Sequence, residues 1–229
     1  PRGREGYADL VHITSKAIKK ADHSAKVLIG GLILPAGYMV KAYERESLPL
    51  IKELAGKDID IFDFHWFGSA GEWQNLPEAM KRIRKDLKEA GFEGASVWFA
   101  EMGTSSGTPA HARCQTEREQ ACEMVKRYSV ALGEGVGKIF WAWGMREGFM
   151  DVEDNDFFDN TGFVYDGIGP DDPGKGVKKV IYWTYKNMTQ LLQYWDGSLP
   201  ERIKSEEGVW AYRFRFKGEA RGIIIAWHK

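Results

Sequence analysis

The chain has 229 residues, of which 43% are hydrophobic and 28% charged, the composition of a folded domain with room for an appendage; it excludes a disordered polypeptide. With 32 basic against 33 acidic side chains and a formal net charge of -1, no global basic field draws it to nucleic acid or anionic lipid, so a neutral ligand fits better. No apolar run approaches the roughly 20 residues that span a bilayer, and residues 1–10 lack the apolar core and cleavage site of a signal peptide. The first residue is Pro, not Met, which leaves the compartment open between cytoplasm and secretion.

Taken in chain order, residues 7–21 carry Leu10, Val11, Ile13, Ala17 and Ile18 at helical spacing, with Lys16, Lys19 and Lys20 on the other face and in the last turn. This predicts an amphipathic helix. The short apolar run 25–31, ending in Gly30-Gly31, then reads as a buried parallel strand. The alternation repeats three times: helix 47–55 before strand 59–65, helix 76–90 closed by Gly91 before strand 96–101, and helix 116–132 before strand 138–143. A last helix covers 177–192. Strands alternating with helices of this length predict βαβ units and a parallel sheet.

After Leu199-Pro200 the pattern changes, because residues 209–216 alternate strictly: Trp210, Tyr212, Phe214 and Phe216 fall on one face, Arg213 and Arg215 on the other. With 222–227 after the Lys217-Gly218-Glu219 turn, this is a β-hairpin whose aromatic face must pack on something. The expected domains are therefore 1–198, a (β/α) unit, and 199–229, a C-terminal hairpin. Cys114 and Cys122 would lie about 12 Å apart if both were helical, too far for a disulfide, and free thiols are expected.

In parallel α/β folds the chemistry gathers at the C-terminal ends of the strands. Those ends carry Gly30-Gly31, His65-Trp66-Phe67-Gly68, Glu101-Met102-Gly103 and Trp141-Ala142-Trp143-Gly144, which offers a carboxylate, an imidazole and several indoles. The acidic run Asp151 to Asp156 invites a calcium reading but lacks the glycine placement of an EF-hand loop. No metal site and no cofactor are expected.

This succession of strand ends, with Phe140-Trp141-Ala142-Trp143 on the last, resembles strands six, seven and eight of the clan A retaining glycoside hydrolases. The opening segment through Gly30-Gly31 resembles the stretch after the Asn-Glu-Pro acid/base motif in the β-xylosidase and α-L-iduronidase branch, with a cellulase-like branch as the other candidate. Residues 161–167 with Lys178-Lys179 resemble the region between strand eight and the last helix. The resemblance implies an α/β fold, a parallel half-barrel equivalent to strands 5–8 of a TIM barrel, with the hairpin belonging to an accessory β-domain. It also implies retaining hydrolysis of β-glycosidic bonds in an oligo- or polysaccharide. Glu101 would be the nucleophile, His65 its hydrogen-bond donor, Trp141 or Trp143 the platform under the reacting sugar, and Trp66 and Trp73 candidates for flanking subsites. The family position matching Phe67 is often Tyr, whose hydroxyl contacts the nucleophile; phenylalanine has none.

A retaining mechanism needs two carboxyl groups about 5 Å apart. No Asn-Glu-Pro occurs in the chain, and four strands are counted where a barrel has eight. The acid/base Glu is therefore expected in an N-terminal half supplied as a separate fragment, or made good by a second copy of the chain. Glu44, Glu46 and Glu72, in expected loops, are the weaker substitutes. The rival reading is a catalytically incomplete half-barrel that serves as a carbohydrate-binding or assembly module.

Overall fold

A computed structural model of the chain describes residues 3–142, 145, 155–168, 172–203 and 207–229. The order is α1 (Gly3–Ala21), β1 (Leu28–Ile33), α2 (Val40–Ala42), a π-helical turn (Tyr43–Ser47), α3 (Leu48–Glu53), β2 (Ile61–Phe67), α4 (Leu76–Glu89), β3 (Ser96–Gly103), α5 (Glu117–Gly133), β4 (Lys138–Trp141) and α6 (Val180–Leu192), then β5 (Glu201–Arg202), β6 (Val209–Arg215) and β7 (Gly222–His228). The first four strands form a parallel sheet in the order β1-β2-β3-β4, and the last three a separate antiparallel sheet. Among the described residues no helix is long and apolar enough to cross a membrane.

The chain compacts into two units that interleave along the sequence: residues 1–66, 75–101 and 136–139 form the first, residues 67–74, 102–135 and 140–229 the second. In the first, the apolar stripe of α4 sets the pattern, with Leu76, Ala79, Met80, Ile83 and Leu87 buried at helical spacing. Gly91 ends that helix at φ 87°, where the Gly91 and Phe92 amides donate to the Lys88 and Leu87 carbonyls as a Schellman cap requires. The expected helix 47–55 is longer than its periodicity suggests. It starts at Val40 and passes through the π turn, which buries Tyr43 so that its hydroxyl donates to Asp86 at 2.7 Å.

The helix α1 departs from expectation in its packing. Its buried positions are Gly6, Ala8 and Ser15, while Leu10, Ile13 and Ile18 of the predicted core stripe remain exposed. The helix α1 packs against α3.

In the second unit α5 opens with a capping box. The Thr116 hydroxyl accepts from the Glu119 amide and the Glu119 side chain accepts from the Thr116 amide. Its buried face carries an ion pair, Arg127 Nε to Glu123 Oε1 at 3.0 Å, with both side chains at most 1% exposed. The hairpin aromatics find cover within this unit. Tyr212 and Phe214 are buried, and a Cβ at Gly133 would overlap the Tyr212 ring, so glycine is what admits that ring beside α5. The short β5, which pairs with β6, has no alternation to announce it.

Candidate active site

Alternation along β2 sends Asp63 and His65 to the same face of the strand. On β3, Glu101 stands two residues before the strand's end at Gly103. His65 Nδ1 lies 3.1 Å from Glu101 Oε2, and its Nε2 lies 3.2 Å from Asp63 Oδ2. The histidine and Glu101 side chains are 27% and 34% exposed, open enough to meet a ligand, whereas Asp63 is 4% exposed. Asp63 is also tied to the backbone on both sides: the Ala100 amide of β3 donates to Oδ1 at 2.5 Å and the Gly31 amide of β1 to Oδ2 at 3.3 Å. The hydrogen bond to Asp63, and the negative charges of Glu101 and Asp63, hold the imidazole above its ordinary pKa against the opposing effect of burial.

The β1 strand makes room for this cluster. Its pairing with β2 shifts register between Ile29 and Leu32, at Gly30-Gly31, which frees the Gly31 amide to face a side chain. A Cβ on Gly30 would stand 2.6 Å from Asp63 Oδ2. Glycine is required there by close approach. Trp66, on the opposite face of β2, is 1% exposed and meets Phe99 edge-on at 5.8 Å, so it is core, not the rim of a flanking subsite. Glu44 and Glu46 lie in the π turn and not in a loop; their side chains meet Arg82 at 3.4 Å and Arg45 at 2.7 Å.

Within the second unit, Trp73 is also 1% exposed, with Trp210 and Trp227 edge-on at 4.8 and 5.2 Å. A ring this buried offers no open face to a sugar, and Trp73 packs with the hairpin instead. Trp141 is buried at 7% exposure, its Nε1 donating to the Thr161 carbonyl at 2.8 Å. Phe67 packs edge-on against Phe158 at 5.0 Å and Phe157 at 6.0 Å. Glu72 accepts from the Ser69 amide at 3.0 Å. Trp143 and most of the acidic run lie outside the described residues; among those described, no three His, Cys, Asp or Glu side chains gather as a metal site would need.

No family model and no curated protein matches the sequence. Solved structures do. A glucosidase from Croceicoccus marinus superposes with a TM-score of 0.62 at 15% identity, over 94% of this chain and 42% of its own. A family 51 α-L-arabinofuranosidase from Bifidobacterium longum gives 0.64 at 10% identity, over 99% and 50%. Another, from Thermotoga petrophila RKU-1, gives 0.63 at 8%, over 99% and 48%. The fold is an α/β half-barrel with a separate three-stranded antiparallel sheet, and it is similar to about half of these TIM-barrel glycoside hydrolases. The chain thus spans half or less of the length of each of these three glycosidases, and the likeness at these identities is one of fold.

Of the residues singled out in the sequence, the structure brings His65 and Glu101 together. It adds one that sequence reasoning passed over: Asp63. The signal was present, because an aspartate between Phe62 and Phe64 in a strand this apolar must be paid for by partners, and it stands two residues from the histidine.

Proposed function

We propose that this chain is the nucleophile-bearing half of a retaining glycoside hydrolase acting on β-glycosidic bonds of an oligo- or polysaccharide, with Glu101 as nucleophile. The carrying observation is the 3.1 Å approach of His65 Nδ1 to the Glu101 carboxylate at the C-terminal end of a parallel strand. In the reaction one Glu101 oxygen attacks the anomeric carbon as the bond to the leaving oxygen breaks, giving a glycosyl ester that water later opens. His65 orients the carboxylate by donating to its other oxygen. Trp141 or Trp143 remains the proposed platform residue, and the burial of Trp141 favours Trp143. The hairpin 199–229 is taken as part of an accessory β-domain.

The acid that protonates the leaving group is assigned to a second four-stranded half, carried by an N-terminal fragment or substituted by a second copy of this chain. The glycosidases of like fold are about twice this length, which supports that assignment. A dinitrophenyl 2-deoxy-2-fluoro glycoside bypasses the need for the acid, because its leaving group departs without protonation. Incubated with a panel of such sugars, the wild-type chain should gain one glycosyl mass on the peptide holding Glu101, and E101Q should gain none. A chain that binds sugar yet stays unlabelled would favour the second reading, a carbohydrate-binding or assembly module. The observation behind that alternative is Phe67, which has no hydroxyl to offer and packs among phenylalanines.

A further inference from the structure

Both ring nitrogens of His65 face carboxylate oxygens, Nε2 toward Asp63 at 3.2 Å and Nδ1 toward Glu101 at 3.1 Å. An ionised carboxylate only accepts hydrogen bonds, whereas a neutral imidazole carries one N–H and one lone pair. A neutral ring would therefore set its lone pair against one of the two oxygens. The doubly protonated ring satisfies both contacts. We infer that Asp63 is a positioning residue that holds His65 as an imidazolium with its Nδ1–H aimed at the Glu101 carboxylate. This rests on the reading of Glu101 as nucleophile and supplies the group that fixes its donor.

The geometry around Asp63 leaves that carboxylate little freedom. Its Oδ1 accepts from the Ala100 amide at 2.5 Å, its Oδ2 from Gly31 at 3.3 Å and from His65, so donors reach it from β3, β1 and its own strand. Gly30 closes over it with no room for a Cβ. A buried acceptor clamped on this many sides fixes the position of one ring nitrogen, and the rigid five-membered ring then fixes the other. Among the described residues, the charged groups facing the ring include Asp63 from β2 and Glu101 from β3, while β1 offers backbone at the bulge; the raised pKa of His65 agrees with that setting.

Two carboxylates and one imidazolium leave the cluster one net negative charge, the sign that suits the oxocarbenium-like transition state of glycoside cleavage. The arrangement also sets an alkaline limit. When pH rises through the pKa of His65, the ring surrenders a proton and one carboxylate loses its donor. Replacing Asp63 by Asn keeps the shape and leaves an amide oxygen for the Ala100 N–H, but turns an NH2 toward Nε2. That nitrogen must then accept, and the ring reverts to neutral.

Nitrogen-15 NMR of the whole chain with labelled histidine tests this, with H65Q identifying the His65 signal among the five histidines. At pH 7 both ring nitrogens of wild-type His65 should carry protons, and the Nε2 proton should persist in E101Q. In D63N the titration midpoint should fall by about one pH unit or more. Labelling of Glu101 by the fluorinated sugar should slow in D63N, with its pH profile moving along with that midpoint. A neutral His65 ring at pH 7 in the wild type, or an unchanged midpoint in D63N, overturns the inference. The two failures separate: Glu101 labelled with His65 unmoved sinks the role of Asp63 alone, and a moved midpoint with no labelling sinks the nucleophile.

Discussion

His65 and Asp60 tie the stability of the first unit to pH with opposite signs. For His65 the folded-state pKa is raised above 6.5, so its stabilisation is fully present below about pH 6.5 and is lost as pH rises through the folded value. For Asp60 the carboxyl is held far below its ordinary 3.8, first by the hydrogen bond from Lys19 and then by the Val27 amide and Lys26; its stabilisation is present above that ordinary value and is lost as pH falls toward the folded one. The expected result is that H65Q loses stability relative to wild type at pH 6 and that the gap closes as pH rises through the folded-state pKa of His65, read as the difference in urea midpoints at each pH. A gap that widens with pH would contradict the assigned protonation. That Glu101 and His65 would lie together was legible in the sequence, because both stand near the ends of strands whose order along the chain is simple. For Asp63 the sequence carried only half the signal, a charged residue in an apolar strand; which partners it has shows only when the amides of two neighbouring strands converge on it. Trp66 and Trp73 misled for a related reason: a ring near a strand end can turn to the solvent or the core, and composition does not say which.

At the scale of elements, the helices were legible to within a few residues where a periodic face met a chemical stop. Thr116 with Glu119 starts α5, and Gly91 stops α4. What was hidden depends on contacts distant in sequence. The helix before β2 begins early because Tyr43 reaches Asp86 across 43 positions, and β5 is a strand only by virtue of its pairing with β6. The most exacting such contact is the one on α5. Glu123 accepts from Arg127, from the Gly71 amide at 2.8 Å and from the Trp73 amide at 3.3 Å, so one buried carboxylate joins the helix to the turn that carries Trp73. Truncation to E123A should leave the Arg127 charge buried without that counter-ion, at a cost of about 3–5 kcal/mol. Denaturant unfolding followed by tryptophan fluorescence checks this, since Trp73, Trp210 and Trp227 share one cluster. A loss below about 1 kcal/mol would mean that Arg127 finds other acceptors as good.

For the molecule as a whole, each of the two units leaves large apolar side chains exposed. In the first unit α1 exposes Leu10 at 55% and Ile13 at 66%, and β1, at one edge of the parallel sheet, exposes Leu28. In the second unit α6 exposes Val180, Trp183 and Leu191, and Phe140 of β4, the other edge, is half exposed. The periodicity of residues 7–21 thus marked a helix, but the apolar face it carries at Leu10, Ile13 and Ile18 is exposed among the described residues. Scattered exposed apolar side chains are ordinary, but apolar helices beside two unpaired parallel edges are costly in water. A complementary (β/α) half is the proposed partner for the strand edges; a second copy of the chain would serve less well, because its own edges carry the same residues in the same order. The expected outcome in static light scattering at micromolar concentration is therefore a mass above that of one chain, and a return to a 1:1 complex when a four-stranded N-terminal half is supplied. If the chain stays monodisperse and monomeric and ignores that half, the open edges are its native surface, and the acid needed for catalysis must be sought among its own carboxylates.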